Sequence, residues 1–437
     1  MAKLIVPRWI IPVEPSGVVL RDHALVTEGT RIAAVMPLAS ALAAYPAAQR
    51  LELPRHILIP GLVNLHTHAA MTLMRGLADD TPLMPWLEEH IWPAEAKHLS
   101  EAYVHDGTLF SCAEMIRSGT TCFADMYFYH LAAAQAAASA GMRAALGAAI
   151  IEFPTPYASD AAGYIDRALS SRDELAASSR LKLMLAPHAP YTVADETFRR
   201  VATIAAEADY PVMVHLQETQ DEVTRAVHQY GMRPIERLER LGMLTPNLVA
   251  VHCVHVLPEE IAMLANAGVH VAHCPVSNLK LASGIAPVAA MLEAGVNVGI
   301  GTDGAASNNR LDIIGEARLA GLLQKGTSGN AAALPAHQVL HMATLGGAKA
   351  LGWDDEIGSL VAGKSADMTA IDLSALETRP VYDPVSHLFN AAGREQVSHV
   401  WVEGRMLLEN RRLTTLDEAE LAANAEVWQN RFAEHPL

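Results

Sequence analysis

The chain has 437 residues, 51 % of them hydrophobic, with 48 acidic against 32 basic side chains and a formal net charge of −16. That length and apolar content allow one large domain or two, with a sizeable core. The negative balance argues against nucleic acid or an anionic membrane as partner, and no apolar run is long enough to span a bilayer.

The opening MAKLIVPRWIIPVEPSG has one early lysine, an apolar patch broken by prolines and no small-residue cleavage site, so it does not read as a signal peptide. Cys112, Cys122, Cys253 and Cys274 form no C-x-x-C pair, which points to a reduced, cytoplasmic chain.

Residues 1–57 hold short strands with turn signals: KLIVPRWIIPV, HALVTEGTRIAAVMPL and QRLELP. The segment 58–354 carries eight apolar runs: HILIPGLVNLHTH, GTTCFADMYF, GMRAALGAAII, LKLMLAPHAPY, YPVMVHLQE, NLVAVHCVHV, GVHVAHCPVSN and VNVGIGTDGA. Alanine-rich segments with helical spacing, such as DETFRRVATIAAEA, lie between most of them. Short, continuously apolar strands alternating with helices predict a parallel sheet buried on both faces. Eight such units closing on themselves give an α/β fold, the (β/α)8 TIM barrel. An open doubly wound sheet is the alternative, but no G-x-G-x-x-G follows the first strand. Residues 355–437 return to strands, IGSLVAGKSADMTAIDL and VSHVWVEGRMLLENRRL, and close with an acidic helix from Leu416 to Phe432. Neither flank buries much alone, so the two are expected to pair into one small composite β-domain.

In PGLVNLHTHAAM, His66 and His68 share one face of a strand at the point where it becomes a loop. Two neutral imidazoles there can share a metal ion, although a chance pair at a strand end is the plainer reading of that motif alone. In a barrel, chemistry sits at the C-terminal strand ends. His188 ends the fourth run, His215 the fifth, His252 the sixth and Asp303 the eighth. Their collection on one rim favours a shared site over separate structural roles. Three imidazoles and one carboxylate suit zinc, with bonds of roughly 2.0–2.2 Å, and leave a position for a water whose pKa falls to about 7. Glu218, three residues after His215, is placed to receive that water's proton, a general acid/base role.

GLVNLHTH, HLQET, VHCVH and GTDGAASNN together resemble the amidohydrolase superfamily, and more narrowly the deaminases of 5′-methylthioadenosine and S-adenosylhomocysteine. AGKSADMTAIDL and VWVEGRML resemble that family's composite β-domain, so the resemblance spans nearly the whole chain. It implies that His66, His68, His215 and Asp303 bind a single divalent metal, Zn²⁺, and that Glu218 shuttles protons, with Asp303 also taking up a proton. It implies that His252 orients the attacking hydroxide, that His188 contacts substrate, and that Glu95, in IWPAEAK, grips the ribose hydroxyls. A carboxylate has acceptors for two adjacent hydroxyl donors, which suits a cis-diol.

The implied activity is that of a hydrolase, an aminohydrolase acting at C6 of an adenine nucleoside, in a homo-oligomer without nucleic-acid or membrane partners. A guanine- or triazine-type aminohydrolase and a non-catalytic barrel scaffold are the alternatives. Relatives that accept S-adenosylhomocysteine present arginines after strand three. Here no Arg or Lys lies between Arg143 and Arg167, and Ala148, Ile150, Ile151, Phe153 and Pro154 form an apolar stretch. The expected order is therefore 5′-methylthioadenosine, then adenosine, then S-adenosylhomocysteine. His255 is read as structural, His273 as matching no ligand, and Ser277 and Asn278 as fixing their loop. Asp79 and Asp80 read as a solvated loop, and His90, His98 and His105 as helix-surface residues. Trp86 and Trp92 either cover the purine or pack beneath their loop.

Overall fold

A computed structural model describes residues 2–434. The chain divides into two compact units. One comprises residues 2–64, Ala113–Cys122 and Asp312–Asp417; the other comprises Leu65–Cys112, Phe123–Leu311 and the helix Glu418–Glu434.

The eight apolar runs form one parallel sheet in sequential order: Leu62–Thr67, Thr120–Tyr127, Arg143–Ile150, Leu181–Pro187, Val212–Leu216, Leu248–His252, His270–His273 and Asn297–Ile300. They are apolar on both sides because both sides are covered. Every residue of Thr120–Tyr127 and Arg143–Ile150 is buried, the pattern of strands between helices and a barrel interior. The barrel closes at its C-terminal rim, where the N–H groups of Thr302 and Asp303 donate to the carbonyl of His66 at 3.2 and 3.0 Å. That seam requires glycine at 301, since a Cβ there would lie 2.9 Å from both the backbone nitrogen and the Cβ of His66.

The intervening helices follow from their sequence. Asp195–Ala208 buries Phe198, Val201 and Ala205, spaced three and four apart. Gln220–Tyr230 begins at Thr219, whose hydroxyl accepts the N–H of Glu222, and stops at Gly231 with φ +68°.

The second sheet has nine strands drawn from both flanks of the sequence. At its centre, Gln49–Pro60 pairs parallel with Ala2–Ile10 and antiparallel with Met368–Asp372. Ile5, Leu25, Leu58, Met368 and Trp401 share its core. The apolar run from His56 to His68, which reads as one strand, is therefore two. Its first part completes the composite sheet; its second, Leu62–Thr67, opens the barrel. Gly61 divides them, in a place so tight that a Cβ would lie 2.0 Å from Thr121 Oγ1. The closing helix runs Glu418–Glu434. Among the described residues no helix is long and apolar enough to cross a membrane.

One buried cation fixes the loop after the fourth strand. Arg237, in the helix Pro234–Arg240, donates to Asp195 and to the carbonyls of Pro190 and Val193, and its guanidinium lies 3.9 Å from the ring centre of Tyr230. Arg237→Met removes these charge-assisted donors while keeping most of the side-chain volume. It is expected to cost about 2–4 kcal/mol of stability, read as a lower urea midpoint at unchanged slope.

Candidate active site

His66 and His68 leave the first barrel strand together, with ring centres 4.8 Å apart. Backbone carbonyls orient two of the imidazoles at this rim. The Met126 carbonyl accepts from His68 Nδ1 at 2.7 Å, and the His188 carbonyl accepts from His215 Nδ1 at 2.8 Å. Each of these Nδ1 atoms carries its proton, so each Nε2 presents a lone pair. His66 Nδ1 faces the Met213 sulfur at 3.1 Å, which leaves its Nε2 to the cluster. His215 Nε2 lies 3.2 Å from His66 Nε2. Asp303 Oδ1 lies 3.3 Å from His66 Nε2 and 3.2 Å from His68 Nε2.

Four acceptor atoms thus face one another, an arrangement that a cation between them would relieve. Metal bonds of about 2.0–2.1 Å in a tetrahedral array put ligand atoms roughly 3.3–3.4 Å apart, close to the spacing found. The donor set fits a divalent metal. For His68 and Asp303 a proton can serve as that cation: burial depresses His68, yet its contact with Asp303 raises it in sum to about 9. Burial raises Asp303, yet His66 and His68 hold it well below the usual carboxylate range. Burial pushes His66 down to about 4 and His188 to about 3, so both rings favour the neutral form that binds metals.

Three strand ends turn through left-handed backbone here: φ is +50° at Gln217, +73° at His252 and +63° at Asp303. Such conformations cost about 1–3 kcal/mol each in non-glycine residues and persist only where the surroundings impose them. At Gln217 the constraint is Glu222, whose carboxylate accepts the N–H groups of Gln217 and Glu218 at 2.8 and 2.9 Å. Glu218 is thereby presented to His252, its Oε2 lying 3.6 Å from Nε2. At Asp303, Oδ2 accepts from Ser277 and Ser307 at 2.6 and 2.8 Å, and Oδ1 accepts the Gly304 N–H at 2.8 Å. His252 Nδ1 lies 2.8 Å from Asn278 Oδ1.

A cavity of about 300 Å³ opens onto this cluster. His68, His188, His215, Glu218, His252 and Asp303 all line it, and the remaining wall is largely apolar, with Trp86, Trp92, Phe128, Ile151, Phe153 and Pro154. No lysine or arginine among the described residues lines it. Trp86 belongs to a π-helical turn, Trp86–Ile91, that leads into the helix Trp92–His98. Glu95 lines the same cavity. Tyr127 donates to its Oε1 at 2.6 Å, while burial pushes the carboxyl up to about 7 against that bond.

Every residue singled out from the sequence as a site candidate is thus on this cavity or in the cluster at its base; His188 also bonds Thr192 Oγ1 at 2.9 Å. His255 donates to the Ser283 carbonyl at 2.7 Å, a structural contact. His273 is buried, with neither ring nitrogen partnered. Asp79 is more than solvated: it pairs with Lys280 at 2.6 Å and accepts from Asn309 at 2.8 Å. His98 packs on Phe432, ring centres 4.4 Å apart. Sequence reasoning missed Tyr127, Glu222, Ser283 and Ser307, and gave Ser277 and Asn278 only a local role. The available signal was position: SNLKLASG and GTDGAASNN place hydroxyl and amide side chains just past two barrel strands, at the end where barrels do chemistry.

Residues 57–407 match the amidohydrolase family. A 5-methylthioadenosine/S-adenosylhomocysteine deaminase of Teredinibacter turnerae is 47 % identical over 424 residues, 97 % of this chain and 96 % of the relative. The solved structure of an adenosine deaminase from Xanthomonas campestris with bound zinc matches with a TM-score of 0.97 at 47 % identity, over 99 % of this chain and 98 % of the other. An atrazine chlorohydrolase from Arthrobacter aurescens, complexed with zinc, matches with a TM-score of 0.91 at 26 % identity, over 97 % and 99 % of the two chains.

Zn²⁺ added to metal-free protein is expected to stabilise it, by about 2.7 kcal/mol at a hundredfold excess over Kd. Asp303→Asn, which removes the anionic acceptor, should lose most of that gain. Equal shifts of the thermal midpoint in both proteins would exclude Asp303 from the ion's shell.

Proposed function

We propose, from the premise that the chain belongs to the amidohydrolase family, that it hydrolytically deaminates adenine nucleosides at C6, releasing ammonia and leaving an inosine-type base. Relatives named 5-methylthioadenosine/S-adenosylhomocysteine deaminase, at 47 and 45 % identity over nearly the full length, support that reading. The observation that carries it is the convergence of four metal-holding atoms with Glu218 and His252 at one side of an otherwise apolar, aromatic cavity. In domain terms, the strands from Leu62–Thr67 to Asn297–Ile300 form the catalytic barrel, and the composite sheet is drawn from both flanks, so the boundaries of 57/58 and 354/355 expected from the sequence shift to Gly61 and to the segment beginning at Asp312.

His66, His68, His215 and Asp303 would hold one divalent ion, Zn²⁺ by the match of imidazole and carboxylate donors. Bound there, the ion lowers the pKa of a water to about 7 and so supplies hydroxide at neutral pH. Burial raises the pKa of Glu218 above the ordinary carboxylate value, which suits a group that must both take and give a proton. Glu218 protonates purine N1, which draws electron density from C6 as the oxygen adds. The second proton, released by the added hydroxyl and taken up through Asp303, reaches the amino group, which leaves as ammonia. Asp303 shares in proton uptake, His252 orients the attacking oxygen, and His188 contacts the nucleoside. Glu95, with Oε1 engaged by Tyr127, offers Oε2 to the ribose diol. A diol-reading carboxylate argues against a free-base or triazine substrate.

The same cavity sets the order of substrates. Its apolar wall favours a methylthio group by about 0.8 kcal/mol per methylene-sized unit. A buried carboxylate would lack a partner there, at a cost of several kcal/mol. Arg143 is buried at the start of the third strand and donates to the Ser179 carbonyl. Arg167 stacks on Tyr157, 4.7 Å from its ring centre.

Glu218→Gln is expected to keep its metal and lose roughly 10²–10⁴-fold in kcat; near-normal turnover with metal bound would remove Glu218 from the mechanism. Specificity constants are expected to fall from 5′-methylthioadenosine to adenosine to S-adenosylhomocysteine. Equal or better use of the last would overturn that order.

A further inference from the structure

The segment after the seventh strand, residues 274–284, supplies none of the groups assigned above. Yet three of its side chains end on three that are. Ser277 Oγ donates to Asp303 Oδ2 at 2.6 Å, Asn278 Oδ1 lies 2.8 Å from His252 Nδ1, and Ser283 Oγ donates to Glu218 Oε1 at 3.2 Å. All three side chains are buried. The segment is itself braced. The N–H groups of Ser283 and Gly284 converge on the Asn278 carbonyl at 2.8 and 3.3 Å, and His255 holds the Ser283 carbonyl. Gly284, at φ +128°, passes so near Val254 that a Cβ would lie 2.9 Å from its Cγ1.

We propose that this segment is a positioning clamp for proton transfer: Ser277, Asn278 and Ser283 orient Asp303, His252 and Glu218 relative to one another, and Asn278 selects the tautomer of His252. The proposal rests on the roles given above to Glu218 and His252. A carboxamide oxygen can only accept, so His252 Nδ1 carries the hydrogen and Nε2 turns a lone pair towards the reacting oxygen. Ser283 occupies one oxygen of Glu218 and leaves the other, nearer His252, for the proton in transit. Ser277 fixes the carboxylate plane of Asp303 so that Oδ1 faces the imidazoles. A single rigid turn thus sets three angles that free side chains would not hold.

The test compares Asn278→Leu with Asn278→Asp. Leucine keeps the volume without an acceptor; aspartate keeps an acceptor in place. Asn278→Leu is expected to lose roughly 10–100-fold in kcat, the usual cost of removing an orienting partner, with KM for 5′-methylthioadenosine, zinc content and thermal midpoint unchanged. Asn278→Asp should retain most of the turnover. On a His252→Asn background, Asn278→Leu should add little further loss. Ser277→Ala and Ser283→Ala are expected to lower kcat without moving KM. Wild-type kcat in Asn278→Leu overturns the clamp. So does an Asn278→Asp variant as impaired as the leucine, because the group against His252 would then be the donor. So does a loss of zinc or thermal stability in step with kcat, which would reduce Asn278 to a packing role. If His252→Asn itself turns over normally, the underlying reading of His252 fails. If His252→Asn is impaired and Asn278→Leu is not, the clamp alone fails.

Discussion

Three imidazole nitrogens and a carboxylate oxygen, set 3.2–3.3 Å from their neighbours, would repel one another without a metal ion or proton between them, and the barrel supplies the rigidity that keeps them together. The first and last barrel strands meet at the seam where Thr302 and Asp303 donate to the His66 carbonyl. Closure of the sheet and assembly of the acceptor cluster are therefore one event. Gly301 makes it sterically possible, since any side chain there would displace His66. The fold is not a neutral scaffold onto which a site was placed; the ring of strands ends in the site.

Around that cluster the structure separates two tasks. Orientation is handled by hydrogen bonds to and from groups that are not themselves members of the acceptor cluster: the backbone carbonyls of Met126 and His188, the carboxylate of Glu222, the hydroxyls of Ser277 and Ser307. Shape is handled by apolar and aromatic side chains from the loops after strands one to three. The left-handed turns at Gln217, His252 and Asp303 lie where these tasks meet. Each aims a side chain in a direction that a continuing strand would not permit, and local partners offset the strain.

How much of this is legible in the sequence depends on the range of the interaction. The period-two spacing of His66 and His68, and the place of His215, His252 and Asp303 at the ends of apolar runs, are local patterns, and they locate the cluster. The eightfold alternation of runs gives the barrel. The division at Gly61 is not legible, because both the composite sheet and the barrel demand apolar strands and the run shows no break in hydrophobicity. Ser277 and Asn278 look like ordinary turn residues because their partners lie 26 positions away. Tyr127 reads as one more apolar strand residue, since nothing local reveals where its hydroxyl points. Asp79 looks solvated because Lys280 stands 201 positions later.

The composite sheet has a consequence for the chain as it is made. Gln49–Pro60 finds its parallel neighbour Ala2–Ile10 early, but its other edge waits for Met368–Asp372. That partner is synthesised about 300 residues later, on the order of 15–60 s at ribosomal rates. Throughout that interval His56–Pro60, with Ile57, Leu58 and Ile59 in sequence, is an apolar edge with unpaired backbone groups, the kind of surface that recruits stray strands. Pro60 blunts one end of it, and Arg55 with Pro54 the other. The nascent N-terminal sheet thus carries its own protection against pairing with the wrong chain before its rightful neighbour exists.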